Sequence, residues 1–390
     1  MANRMARVLI SSGLLMAGSA APVYAGAWNY AGRTQLSSTY DDNILLSAGT
    51  QYAPVLSATA GAADVSGRLQ FQDDTLLWQF DPRFLATRYS GQQTLNHTEK
   101  FLTMLSQLTG ERSSNSLTLT GTEDTTLTSE IGLTGLSAVN KKHRTVTANF
   151  DTNWRFNEFI DAGVQVSANE NRYFDKQGTG LVDYNYNTAT VNANYKWTER
   201  SQFFLQSSVG KLQVPDLNVY DKTNLSAVLG YSRQFTQRWL GTVYYGPSQV
   251  RANGSKANGT VYNASLSRKS ELTNLSLSYT RDVTPTGYGQ FGRRDQIQLA
   301  LNQPLSERWA TNWTVTSIRT RYIAANGNLE LSTVNYGDVT GNLSWSISPT
   351  WTASFTAGYT RQTVKTVTSA AERNHAALNI SWNGLMHRLN

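Results

Sequence analysis

Several features common in other protein classes are missing from this 390-residue chain. It has no cysteine, which excludes disulfide scaffolds, thiolate metal sites and cysteine nucleophiles. Past the N-terminal segment, no stretch holds eighteen consecutive apolar residues, so a transmembrane helix is not expected. Only 39% of residues are hydrophobic, while Ser, Thr, Asn, Gly and aromatic residues are abundant. These absences argue against helical bundles and helical membrane proteins.

The first 25 residues have the order of a secretory signal peptide. Arg4 and Arg7 form a charged start, an apolar stretch runs from Val8 to Gly18, and Val23-Tyr24-Ala25 fits a cleavage site of small residues. We therefore expect cleavage after Ala25, no lipoprotein anchor, and a single domain over residues 26–390. This signal, with the cysteine-free composition, predicts a location in the bacterial outer membrane.

An alternation of apolar and polar residues dominates the rest of the chain. From Val146 to Phe156, every second residue is apolar or Thr, and the residues between them are polar or charged. A period of two predicts strands with one apolar and one polar face. Similar segments recur to Trp382, the last residue of the final predicted strand, Ala376 to Trp382.

Short turns with flanking aromatic residues recur along the chain. Examples are Asn157-Glu158 between Phe156 and Phe159, and Thr236-Gln237-Arg238 between Phe235 and Trp239. Longer polar connections separate these turns, such as residues 175–183, 213–221, 251–259, 282–292 and 324–328. Short turns at one end, long loops at the other and aromatic girdles are typical of outer-membrane barrels.

These patterns predict an all-β fold, a transmembrane antiparallel up-and-down β-barrel of about 18 strands, with 16 as the alternative. An even number places both termini at one end, and closure removes the unpaired strand edges that hydrocarbon does not tolerate. Pro82 predicts a bulge or a barrel-edge irregularity in the third strand. Residues 125–140 are expected to form a long outside loop or to fold into the barrel. The last four residues, His387 to Asn390, lack the aromatic ending common in such barrels.

Inward charges are the candidate functional residues. Alternation places seven charged side chains on the polar face, as tentative pore-lining groups: Arg33, Asp81, Arg83, Asp151, Arg155, Asp161 and Lys196. Mixed charges across a wet pore tune ion passage, or they form salt bridges that only brace the wall. The net charge is +7, and removing Arg4 and Arg7 leaves 32 basic against 27 acidic residues, or +5. This excess fits either general solubility or an interior that favours anions.

No catalytic or cofactor motif stands out. His97, His143, His375 and His387 are scattered, and no nucleophile motif of the G-x-S-x-G kind is present. We expect no enzymatic activity, no cofactor, no bound metal and no nucleic-acid partner. Asp41-Asp42-Asn43 offers oxygen ligands for Ca²⁺, although a solvated loop explains it more simply. The expected partners are outer-membrane lipid and lipopolysaccharide, with Lys141 to Arg144 and Arg293-Arg294 at the outer rim.

Two segments resemble a family of outer-membrane β-barrel porins whose genes often lie beside those for exopolysaccharide synthesis and export. The first is Ser38 to Ser47, with its Tyr40-Asp41-Asp42-Asn43 core, and the second runs from Phe80 to Ser90 through Asp81-Pro82-Arg83. The resemblance implies a barrel of about eighteen strands that passes exopolysaccharide, with envelope export machinery as a partner. Two other functions remain open: a diffusion porin for small solutes, anionic ones among them, and a structural barrel with a blocked lumen.

Overall fold

A single antiparallel sheet that closes on itself forms the protein. The computed structural model describes residues 26–49, 54–135, 140–215, 222–252, 255–323, 329–365, 369–384 and 387–389. The expected signal peptide and the connection 324–328 lie outside the described residues. No helix among the described residues is long and apolar enough to cross a membrane.

Eighteen long strands make the wall, and each pairs with its neighbours in the chain. Nine run in one direction: β1 (Ala27–Asp41), β3 (Leu76–Tyr89), β5 (Ser113–Thr125), β7 (Ile160–Tyr173), β9 (Ser201–Gln213), β11 (Trp239–Ala252), β13 (Asn274–Pro285), β15 (Trp309–Ile323) and β17 (Trp351–Val364). Nine return: β2 (Ala58–Gln72), β4 (His97–Thr109), β6 (Lys142–Arg155), β8 (Tyr184–Thr198), β10 (Lys222–Gln234), β12 (Ser255–Lys269), β14 (Phe291–Pro304), β16 (Leu329–Ser346) and β18 (Ala371–Asn383).

The barrel closes where β1 pairs with β18, from Arg33 opposite Asn383 to Asp41 opposite His375. A short strand, β19 (His387–Leu389), then continues the same edge and pairs with Trp28 to Tyr30. The register changes by one residue between the two ladders, so β18 and β19 form one interrupted strand. The predicted eighteen-stranded closed barrel is confirmed, and His387–Leu389 extends the closing edge.

The connections differ at the two ends. At the end that holds Ala27 and Asn383, turns of a few residues join the strands, and all of the predicted short turns lie there. We call this the short-turn end, and the opposite one the loop end. Aromatic rings cluster at the short-turn end, for example Trp28 against Phe71 at 5.2 Å and Trp309 stacked on Trp345 at 5.9 Å.

Of the two irregularities that the sequence allows at Pro82, the structure has an interrupted ladder and not a bulge, and the loop predicted for residues 251–259 is wrong. The register between β2 and β3 is the same on both sides of Pro82, so there is no bulge there. Instead the ladder skips the pairs opposite Pro82 and Asp81, because proline has no N–H to donate. Residues 251–259, which the sequence predicts as a long loop, are mostly strand, since β11 reaches Ala252 and β12 begins at Ser255.

Candidate pore interior

Alternation along each strand assigns the inner and outer faces of the wall. On β1, Trp28, Tyr30, Leu36 and Tyr40 are exposed on one face, and Arg33 lies on the other. Through the ladders the same assignment runs round the barrel, so that large apolar side chains cover the outside of the membrane-spanning half. The inside is mainly Ser, Thr, Asn and Gln. A closed wall with an apolar exterior satisfies its backbone groups within the bilayer.

Arg33, Asp81 and Arg83 lie on the inner face of adjacent strands. With Asp64 and Arg68 they form a group that we call the β1–β3 cluster. Arg83 donates to both carboxylate oxygens of Asp64, the shortest contact being 2.7 Å. Arg68 binds Asp81 through two bonds of 2.9 and 3.1 Å. The cluster holds three guanidinium groups and two carboxylates, a net charge of +1.

Water reaches this cluster. The side chains of Arg68 and Arg83 are 47% and 45% exposed, although they point into the barrel. Arg83 also lies over the ring of Phe101 at 5.0 Å, and Arg33 donates to the neutral amide of Gln35 at 2.6 Å. The positive charge of Arg33 is therefore not matched by a carboxylate in these contacts. The arrangement leaves excess positive charge on one side of a wet interior.

The other four predicted pore-lining residues form a second group near the short-turn end. Asp151 and Arg155 lie on β6, and Arg155 is the cross-strand partner of Asp161 on β7. Asp161 accepts a 2.6 Å bond from Asn194, and Lys196 lies two residues beyond Asn194 on β8. All four are on the inner face, and their charges balance. The structure thus brings the seven predicted residues into two separate groups.

Sequence reasoning missed Asp64 and Arg68, which complete the β1–β3 cluster. The signal was present, because Asp64, Ser66 and Arg68 alternate with Val65, Gly67 and Leu69 along β2. The seven predicted residues lie on strands whose sequences alternate more regularly between apolar and polar residues. Where small residues such as Ala and Gly lie on both faces, as in the first half of β2, the sequence does not show which face points inward.

A helix, α1 (Thr126–Thr134), leaves the end of β5 and folds into the barrel. Thr128 donates to Glu99 on β4 at 2.9 Å. Further along, Ile131 packs in a buried cluster with Leu46, Ile318 and Tyr336. The last two lie on β15 and β16, eight and seven strands from β5 by the shorter way round an eighteen-stranded wall. The segment therefore crosses the interior. Of the two sequence predictions, an outside loop or a segment folded into the barrel, the second is correct for the described residues.

A tight contact fixes the far end of α1. Gly135 ends the helix with φ at 73°, and its backbone oxygen accepts a 2.5 Å bond from Gln362 on β17. A Cβ at this position would lie 2.7 Å from the Cβ of Tyr336. Both the left-handed conformation and the close approach require glycine.

Glu130 is the charged group buried at the centre of this segment. Its carboxylate accepts a hydrogen bond from the hydroxyl of Tyr173 on β7, and the backbone N–H of Gly287 also binds it. Burial raises the pKa of Glu130 above its ordinary value, and these two hydrogen bonds offset part of that shift. Glu130 thus joins α1 to the wall on the side opposite Ile131.

Two further connections at the loop end pack over α1. Val182, in the connection 174–183, donates its backbone N–H to Gly287 in the connection 286–290 at 2.9 Å. Leu181 and Tyr173 join a second buried cluster with Leu212 and Phe291. Apolar side chains therefore fill much of the loop half of the interior, and the polar half opens at the short-turn end.

The Tyr40 to Asn43 motif has a structural role. The side chain of Asn43 donates to the backbone oxygens of Ser47 and Glu372, both at 2.8 Å, and accepts from the N–H of Ser47 at 2.9 Å. Asp42 accepts two bonds from Asn374. The motif thereby ties the first inward loop to β18. Within the described part of the chain, no three His, Asp or Glu groups come together as metal ligands.

Comparisons with known proteins support the fold. No protein-family model matches the sequence, and no curated protein matches it. Among solved structures, the barrel is similar to Pseudomonas aeruginosa OpdO, with a TM-score of 0.50 and 11% identity over 92% of this chain and 97% of that one. P. aeruginosa OpdK, solved with vanillate, gives 0.48 and 10% over 92% and 99%. Acinetobacter baumannii OccAB4 gives 0.47 and 9% over 93% and 98%.

At these identities the similarity concerns the fold alone. It supports the assignment of this chain to the closed antiparallel up-and-down β-barrels.

Proposed function

We propose that this protein is a passive, non-enzymatic diffusion channel of a bacterial outer membrane, selective for small anionic solutes. The short-turn end would face the periplasm and the loop end the outside, as is usual for such barrels. The observation that carries the proposal is a wet interior that holds the β1–β3 cluster, with its net charge of +1, and that is crossed by an inward helix. An aqueous lumen with a narrow, charged section is the arrangement that selects solutes by size and charge.

Size favours small solutes over the exopolysaccharide that the sequence resemblance implies. The helix α1 and the connections 174–183 and 286–290 occupy the loop half of the interior, and buried contacts hold them on both sides. A polymer strand needs an open path along the whole barrel. A small solute needs only a gap beside α1.

Charge favours anions. Arg33 and the two ion pairs of the β1–β3 cluster lie on the inner face of three adjacent strands. The half-exposed guanidinium groups of Arg68 and Arg83 offer donors to a passing carboxylate or phosphate. Because both arginines are already paired with aspartates, Arg33 supplies the net charge of the cluster.

Liposome swelling tests the proposal. Protein reconstituted into liposomes is exposed to gluconate, glucose or a dextran, which separate charge from size. We expect gluconate to enter faster than glucose, and dextran to be excluded. Faster or equal entry of glucose contradicts the anion preference, and entry of dextran contradicts the small-solute channel and favours polymer passage. No swelling with any solute favours a blocked structural barrel.

Arg33→Gln sharpens the test, since it removes one positive charge without leaving a carboxylate unpaired. We expect the gluconate preference to fall by roughly threefold, the effect of one unit charge about 7 Å away in water. Arg268→Gln is the matched control, because Arg268 lies on the outer face beside the ring of Trp239. That control should leave the preference unchanged.

A further inference from the structure

The outer face of the barrel carries a group of positive charges at the loop end of β15, β16 and β17. Arg319 and Arg321 alternate with inward residues on β15, and Arg361 and Lys365 lie on the outward face of β17 and just past its end. Between them runs β16, with Asn335 as the cross-strand partner of both Arg319 and Thr363. We call these four basic residues the outer basic groove.

The outer basic groove borders a cavity in the protein surface. A cavity of about 410 Å³ is lined by Arg319, Asn335, Arg361 and Lys365, among others. Gly337 lies between Ser317 and Arg361 in the ladder, and a Cβ there would meet no atom within 4 Å. Gly337 therefore presents no side chain to the outer face beside Arg361.

The positive charges of the groove are poorly neutralised. Arg361 lies 3.5 Å from Glu372, and both side chains are more than half exposed. Arg321 is 3.7 Å from Asp295, but Asp295 is already bound by Arg281. The side chains of Arg319 and Lys365 make no hydrogen bond or ion pair with the described residues. Three exposed cations and the partly buried Arg321, all weakly paired, are suited to an anionic ligand.

The position of the groove along the membrane normal determines what kind of anion can reach it. Arg361 is ten residues along β17 from Trp351 at the short-turn end. With tilted strands this is roughly 25 Å across the membrane, the thickness of the apolar band of a barrel. Directly below, the outward side chains are Trp313, Val339 and Phe355, all exposed. The ligand must therefore carry its charge at headgroup level and place apolar chains against the wall beneath.

We propose that the outer basic groove binds the phosphate groups of a glycolipid in the outer leaflet, with its acyl chains lying against β15 to β17. The proposal rests on the outer-membrane location and orientation given above, but not on conduction through the barrel. Arg319 and Arg361 would hold a phosphate over Gly337, and Lys365 and Arg321 would contact it from the loop end. Guanidinium groups suit this role because they bind phosphate through two parallel hydrogen bonds.

Another outward pair of lysines provides an internal contrast. Lys100 and Lys142, on β4 and β6, both bind Glu123, at 3.4 and 3.0 Å. They lie at the loop end on the outer face as well, but their carboxylate partner occupies the position that a phosphate would take. A comparison of the two patches therefore distinguishes the effect of unneutralised positive charge from the effect of lysine exposure to the membrane alone.

The test measures binding of bis-phosphorylated lipid A to the full-length protein in neutral detergent, by fluorescence titration of the lipid. The triple variant Arg319→Gln, Arg361→Gln, Lys365→Gln is compared with the wild type and with Lys100→Gln, Lys142→Gln. We expect the triple variant to bind about a hundredfold more weakly, given the usual contribution of each cation at a membrane surface. The lysine control should change affinity little.

Two further probes identify the ligand. Dephosphorylated lipid A should bind as weakly as lipid A does to the triple variant, and inorganic phosphate should not displace bound lipid A. Equal affinity of the wild type and the triple variant would overturn the proposal, as would equal binding of the dephosphorylated lipid or displacement by inorganic phosphate. A β-sheet circular dichroism spectrum and heat-modifiable migration on gels establish that each variant is folded.

Discussion

The two halves of the barrel interior have different chemistry, although the same strands build both. On β15, Asn312, Thr314 and Thr316 face inward in the short-turn half, and Ile318 and Tyr322 face inward above them. The lower residues border water, whereas Ile318 and Tyr322 are buried beneath loops that fold inward. The inner face of a strand is therefore polar where it lines a lumen and apolar where it supports a plug-like segment.

This difference shows that α1 is held by a core of its own. Ile131, Leu46 and Tyr336 bury apolar surface inside the barrel, which a water-filled pore alone would not require. The short-turn half has no such core among the described residues and keeps its charged side chains wet. Under the proposed function, the loop half would select solutes by size and the short-turn half would select them by charge.

Replacing Leu127 to Thr134 with glycine and serine residues of equal number should have the largest effect. Because α1 crosses the interior, its loss widens the path, and single-channel conductance in planar bilayers should rise severalfold. The same replacement in the connection Gln93–Leu95 is the control and should leave conductance near the wild-type value. Unchanged conductance without α1 would mean that the constriction lies elsewhere.

Ile131→Ala should loosen α1 without removing it. Truncating a buried isoleucine commonly costs about 2–4 kcal/mol. Here we expect this loss in the free energy of α1 docking, because the pairing of the strands does not depend on Ile131. Hydrogen exchange of the α1 backbone amides should become faster while that of β15 and β16 stays slow. Uniformly faster exchange across the barrel would show that Ile131 supports the whole wall.

Glu130 makes the docking of α1 depend on pH. Burial raises its pKa from the ordinary value of 4.5, so the docked state binds the proton more tightly than the undocked state. The docking free energy is therefore fully present below about pH 4.5 and declines as the pH rises through the pKa of the docked carboxyl. Exchange protection of α1 should fall over that range.

The groups that face Glu130 act on the same equilibrium. His143 lowers its pKa and Asp124 raises it, while Tyr173 and Gly287 bind it directly. Glu130→Gln keeps the shape and removes the titration, so the pH dependence of α1 protection should flatten. Glu158→Gln, in a short turn, serves as the control. A pH dependence that survives in Glu130→Gln would show that a group other than Glu130 controls the docking of α1.

The smallest effect is expected from removing one ion pair of the β1–β3 cluster. Asp64→Asn with Arg83→Gln keeps the net charge, and a half-exposed pair of this kind contributes no more than about 1 kcal/mol. Unfolding in guanidinium chloride should shift little, and the anion preference should remain. A large loss of stability would mean that the pair braces the wall.

The fold was predictable because the membrane-spanning part of each strand obeys one rule. Trp154 and Phe150 must face lipid, and Asn153 and Asp151 must face water, so the period of two is strict. Above the membrane both faces meet water or loops, and the rule no longer holds. For this reason Lys256 and Gly259, which lie on β12, appear as loop residues in the sequence.

The candidate site was predictable only in part. Inward charges such as Arg33 and Arg83 follow from alternation, but their pairing with Asp64 and Asp81 depends on the register between strands. The outer basic groove was not predicted, because Arg319 and Arg361 are 42 residues apart in the chain. The docking of α1 depends on Ile318 and Tyr336, whose inward apolar side chains the lipid-facing pattern does not anticipate.

The reversal potential across planar bilayers, with a tenfold KCl gradient, tests the central claim most directly. We expect steady conductance and a potential displaced toward that of chloride, with the displacement reduced in Arg33→Gln and retained in Arg268→Gln. A potential displaced toward that of potassium, or a bilayer that stays silent with folded protein inserted, would contradict an anion-selective channel.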